Sequence, residues 1–109
     1  MHELGITRNI VAIVGEKAGD SKVKRISLDI GKLSAIMPDA VRFCFDVCAK
    51  DTVLEGAVLE INEIPGLGRC NECGNEIDLE QVYGQCACGC RHIHCIAGEE
   101  LMIKEMEVY

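Results

Sequence analysis

Residues 70–90 read CNECGNEIDLEQVYGQCACGC, and this stretch decides how the chain is built. Cys70-Asn71-Glu72-Cys73-Gly74 is a CxxCG knuckle. Its spacing lets two thiolates converge on one ion, and Gly74 permits the left-handed turn that aims backbone N–H groups at the sulfurs. Further on, Cys86-Ala87-Cys88-Gly89-Cys90 repeats the Cys-Gly pair with the spacing compressed to CxC and one more Cys behind it. The chain holds 8 cysteines in 109 residues, and Cys70, Cys73, Cys86, Cys88, Cys90 and Cys95 all fall between positions 70 and 95. In a reducing compartment, paired close spacings point to a metal rather than to disulfides.

Four thiolates in tetrahedral array suit Zn²⁺. The reading takes Cys70, Cys73, Cys86 and Cys88 as the zinc ligands. Cys90 is a possible substitute for Cys88 or Cys86, because five cysteines compete for four positions. A complete thiolate set leaves no open coordination position, so a structural role is expected; a segment with so little apolar core needs such a staple to fold. His92 and His94 follow closely and are read as a solvated pair.

On the N-terminal side of the cluster the pattern is regular. Leu4, Thr7, Val11, Val14 and Ala18 recur at helical spacing, widened by Ile6, Ile10 and Ile13, and Gly19-Asp20 ends the helix. Val23 to Ile30 alternates as a half-buried strand, with Ile26, Leu28 and Ile30 on one face. Pro38 opens a second helix whose stripe is Val41, Cys44, Phe45 and Cys48, so both cysteines are read as core. Gly56 leads into a strand from Ala57 to Ile64. Pro65-Gly66-Leu67-Gly68 reads as a turn or hinge. Beyond the cluster, Gly98 opens a strand-like run from Glu99 to Val108. The fold class expected is therefore α+β: two helices packed on a three-stranded sheet, from residues 1–65 and 98–109, with a zinc-ribbon-like module inserted at residues 66–97.

Composition narrows the function. With 18 Asp+Glu against 11 Lys+Arg, the formal net charge is −7, the wrong sign for tracking nucleic-acid phosphates. There is no Trp, and only 2 Phe and 2 Tyr are present to stack on bases. No apolar run approaches the roughly 18 residues that a membrane span needs, and the first residues do not read as a secretory leader, so a cytoplasmic protein without membrane insertion is expected. No phosphate-cradling Gly-Lys loop, nucleophile elbow or HExxH occurs, and an enzyme is not expected.

The chain opens Met1-His2-Glu3. The Met1 amine, the His2 backbone nitrogen and the His2 imidazole can close fused chelate rings, with Glu3 as a further donor. Such a nitrogen-rich set suits Ni²⁺ or Cu²⁺, although a terminal His is more commonly just solvated.

Taken together, Met1-His2-Glu3 ahead of an amphipathic helix, the CxxCG knuckle, the second Cys-Gly knuckle and the closing GEELMIKEMEV (residues 98–108) resemble the HypA/HybF family of hydrogenase nickel-incorporation proteins over essentially the whole chain. The resemblance implies a metallochaperone that delivers Ni²⁺ to the large subunit of [NiFe]-hydrogenase, working with the GTPase HypB. It assigns nickel to Met1, His2 and Glu3, and zinc to Cys70, Cys73 and the second knuckle. The chain departs from the family pattern there: CxC replaces the more frequent CxxC, and Cys90 stands where a small polar residue is common. Whether the protein is a homodimer stays open. The alternative is a zinc-ribbon interaction or regulatory module without nickel delivery, against whose nucleic-acid form the acidic module itself (Glu72, Glu76, Asp78 and Glu80 against Arg91) argues. An iron redox centre at the four thiolates is a further rival.

Overall fold

The computed structural model describes residues 2–81 and 84–109, His2 through its backbone only. Among the described residues, two helices and two three-stranded sheets follow in the order α1 (His2–Ala18), β1 (Val23–Gly31), α2 (Pro38–Ala49), β2 (Val58–Ile64), β3 (Gly66–Cys70), β4 (Glu76–Leu79), β5 (Ile93–Ala97) and β6 (Leu101–Val108). The chain divides into two compact units. One comprises Met1–Leu28, Ile36–Asn62 and Met102–Tyr109, the other Asp29–Ala35 and Glu63–Leu101. Among the described residues, no helix is long and apolar enough to cross a membrane.

In the first unit, Thr7, Ile10, Val11 and Val14 are the buried stripe of α1, at the i, i+3, i+4, i+7 spacing of one helix face. The buried Thr7 hydroxyl donates to the Glu3 carbonyl at 2.7 Å, so burial costs it no partner. Ile13, grouped with that face by its sequence spacing, is exposed. In α2, Pro38 occupies the first turn, where a missing N–H costs nothing, and Val41, Cys44, Phe45 and Ala49 are buried. Cys48 departs from the expected core: it is only half-buried, and Ala49 takes its place in the stripe. Val23, Ile26, Leu28 and Leu54 complete this core, each large side chain contributing about 1.5–3 kcal/mol by leaving water.

The first sheet has the order β2-β1-β6. Cross-strand side-chain pairs Arg25–Glu60 and Ser27–Asn62 advance in the same direction along β1 and β2, so these strands run parallel and α2 is their crossover. The Gly31 N–H donates to the Glu100 carbonyl at one end of β1, and the Tyr109 N–H to the Lys22 carbonyl at the other, so β6 returns antiparallel. On this sheet, Arg25 joins Glu60, Glu105 and Glu107 at 2.9–3.1 Å, one cation tying all three strands.

The second sheet, β4-β3-β5, is antiparallel throughout, with Arg69 opposite both Glu76 and His94. The Pro65–Gly68 stretch, expected as a turn or hinge, is instead largely strand β3. Its glycines answer to crowding rather than to chain reversal: a Cβ at Gly68 would lie 2.5 Å from Ile93 Cγ2 and 2.8 Å from Leu79 Cδ1. At the base of this unit the Leu33 N–H donates to the Gly98 carbonyl (2.7 Å) and the Lys32 N–H to the Ile64 carbonyl (2.9 Å). Gly31, Gly66 and Gly98 permit these backbones to cross.

Candidate metal centre

Strand β3 delivers Cys70 at its end, and the chain reverses through residues 71–75 into β4. The Cys70 N–H donates to Asn75 O, the Gly74 N–H to Cys70 O, and the Asn71 N–H to His92 O, all within 2.9–3.0 Å. Gly74 adopts φ +76°, the left-handed turn expected of it. The turn points the Glu72 N–H at the Cys70 sulfur (3.4 Å). The second knuckle is closed by the Cys86 N–H on Cys90 O and the Gly89 N–H on Cys86 O, both 2.9 Å.

These two turns bring together Cys70, Cys73, Cys86 and Cys88, whose sulfurs all lie within 4.8 Å of one another. The Cys70–Cys88 and Cys73–Cys86 separations are 3.6 and 3.5 Å. A zinc–thiolate bond of about 2.3 Å gives tetrahedron edges of about 3.8 Å, so the donor set and its size fit a zinc ion. Cys70 and Cys86 form the buried side of the cage, Cys73 and Cys88 the exposed side. Cys90 stands outside this mutually close set. Its sulfur accepts the His92 N–H at 3.3 Å, and it comes within interaction range of Cys70.

Electrostatics distinguish the thiols. The Cys73 N–H, helped by Glu72 and Cys88 against the cost of burial, lowers Cys70 from its ordinary 9.0 to about 6. The Cys90 N–H favours the Cys88 thiolate, but Cys86, Cys70 and burial outweigh it and raise Cys88. For Cys90 the His92 N–H is likewise outweighed by burial, Cys70 and Glu72. Cys95 is raised by its hydrogen bond to Glu99 and by burial. Its thiol also donates to Ala97 O at 3.3 Å, apart from the four-sulfur cluster. His92 and His94 are both exposed.

At the other candidate site, Met1 and the His2 side chain lie outside the described residues. Glu3, half-buried, belongs to the first turn of α1.

The model of the hydrogenase/urease nickel incorporation metallochaperone family HypA matches residues 1–108. The chain belongs to the HypA family. The hydrogenase maturation factor HypA of Nostoc sp. is 69% identical over 108 residues, covering 99% of this chain and 96% of that protein. The HypA of Geobacter metallireducens is 45% identical, covering 99% of each. The solution structure of the Ni metallochaperone HypA from Helicobacter pylori superposes with a TM-score of 0.69 at 21% identity, covering 97% of this chain and 96% of that one. A second HypA solution structure gives 0.73 at 23%, covering 100% and 97%. At these identities the structural matches speak for a shared HypA fold.

Backbone N–H groups aimed at the sulfurs were expected of the knuckle turn; the structure places them at Glu72, on Cys70, and at His92, on Cys90. One feature escaped the sequence reading. Helices α1 and α2 flank a groove of about 550 Å³ that includes Arg8, Val11, Val47 and Cys48. Its sequence signal is Val47, an apolar residue off the buried stripe of α2, and it is exposed.

Proposed function

We propose that this chain carries Ni²⁺ for [NiFe]-hydrogenase maturation, taking the ion at its N-terminus and handing it to the hydrogenase large subunit with the GTPase HypB as partner. The observation that carries the reading is the HypA family match over residues 1–108, which includes Met1-His2-Glu3. In this reading the Met1 amine, the His2 backbone nitrogen and imidazole, and Glu3 hold nickel. Residues 1–65 and 98–109 form the nickel domain and residues 66–97 the zinc module. The chain acts in the cytoplasm as a carrier, not a catalyst.

Helix physics supports a donor set at this place. α1 starts at His2, and the first N–H groups of a helix have no intrahelical acceptor. Nickel can therefore take backbone nitrogens there without breaking the helix. The Thr7 hydroxyl on Glu3 O anchors that first turn from the buried side. The positive end of the helix dipole opposes the cation, which suits a carrier that must release it. Protons compete for the imidazole and the amine, so affinity falls with pH.

Cys70, Cys73, Cys86 and Cys88 would hold zinc in a separate, closed site. Bound there, zinc supplies a cross-link between the two knuckles. The soft thiolate set and the nitrogen-rich terminus divide the two metals by ligand chemistry. The test is transfer: nickel-loaded protein is mixed with apo large subunit, HypB and GTP, and nickel in the large subunit is counted. Native protein delivers and His2→Ala does not. Equal delivery by both refutes the proposal.

A further inference from the structure

We propose that Cys90 is a reserve ligand of the thiol cage, able to take over the position of Cys88 so that a thiophilic divalent ion remains four-coordinate while Cys88 is released. This inference rests on the reading of Cys70, Cys73, Cys86 and Cys88 as a metal site. Five thiols stand at a site that uses four, and the fifth is not randomly placed. Cys88 lies 3.6 Å from Cys70, and Cys90, two residues further on, lines the same open depression as Cys73 and Cys88. Cys86 is excluded as the exchanging ligand, being buried and paired with Cys73 at 3.5 Å.

The second knuckle is built for the exchange. The Cys86 N–H donates to the Cys90 carbonyl at 2.9 Å. Cys90 therefore stays tethered to the buried Cys86 when Cys88 leaves. Gly89 lies between the two thiols at φ +95°, a residue whose backbone can re-aim at little steric cost. The exchange needs no opening of a core, because Cys73, Cys88, Cys90 and His92 face one open depression of about 660 Å³. In the step, the Cys90 sulfur binds the metal and gives its proton to water, while the metal–Cys88 bond breaks and Cys88 takes a proton from water. No electron is transferred.

The test uses the full-length chain loaded with Co²⁺ as a coloured stand-in for zinc. Cys88→Ser should keep the sulfur-to-cobalt absorption of the native protein and stoichiometric metal. Cys88→Ser/Cys90→Ser should lose about a quarter of that absorption, one thiolate of four. If Cys88→Ser alone shows the three-thiolate spectrum, the inference fails while the metal site stands. If the native protein binds no metal at these cysteines, the underlying reading fails instead. A second measurement needs no variant: after limited alkylation of zinc-loaded native protein, the modification found within the second knuckle should divide between Cys88 and Cys90, with zinc retained, whatever label the half-buried Cys48 and Cys95 also take. Modification at Cys90 alone, with Cys88 fully protected, overturns the proposal.

Discussion

Replacing Gly98 by Ala should cost this protein far more than an ordinary glycine substitution. Gly98 adopts φ +109° and is buried between β5 and β6. A Cβ there would lie 2.6 Å from Gly66 Cα and 3.1 Å from Leu33 Cδ1. The Gly66 atom is backbone, so no rotamer change relieves it. Backbone strain at such a φ is worth about 1–3 kcal/mol, and overpacking about the same again. The sum is about 2–6 kcal/mol, or a fall in melting temperature of about 8 °C at the least. Gly56 is the control: its φ is +80°, and nothing lies within 4 Å of its would-be Cβ. Gly56→Ala should cost only the strain, about 1–2 kcal/mol. The assay is thermal unfolding by circular dichroism at one fixed zinc excess for all three proteins, since bound metal itself shifts the midpoint. If the two variants agree within about 0.5 kcal/mol, the crossing of Gly31, Gly66 and Gly98 does not constrain the fold as argued.

Arg25→Met leaves Glu60, Glu105 and Glu107 without their shared cation; the melting temperature should drop, and added salt should narrow the gap to native protein by screening the carboxylates. Leu28→Ala, at a fully buried position, should cost about 2–5 kcal/mol in denaturant unfolding.

Sequence periodicity made β1 and both helices legible, because their apolar residues recur at the spacing of the element that buries them; β2 and β6 were placed by their apolar runs, although their side chains stay exposed or half-buried. Ile26, Leu28 and Ile30 alternate and are buried together; Val41, Cys44 and Phe45 follow the helical turn. The second sheet was not legible. Gly66 and Gly68 look like turn residues, yet they lie in β3 because neighbouring Leu79 and Ile93 occupy the space a side chain would need. Four residues of β4, with two charges among them, are too few to display a period. β5 mixes His94 and Cys95 into its alternation, which masks it. The paired spacing of the cysteines announced a four-sulfur cluster, but the choice among Cys86, Cys88 and Cys90 depends on how the second knuckle turns. Cys48 was read as core from its spacing alone; the register of α2 gives that buried position to Ala49.

Nickel titration of native protein against a version carrying extra residues ahead of Met1 tests the central claim most directly, with zinc counted in both. The extension blocks the terminal amine and leaves the thiol cage untouched. Native protein is predicted to bind stoichiometric nickel, and the extended chain to bind none above background while keeping its full zinc content. Undiminished nickel affinity in the extended chain would contradict the account.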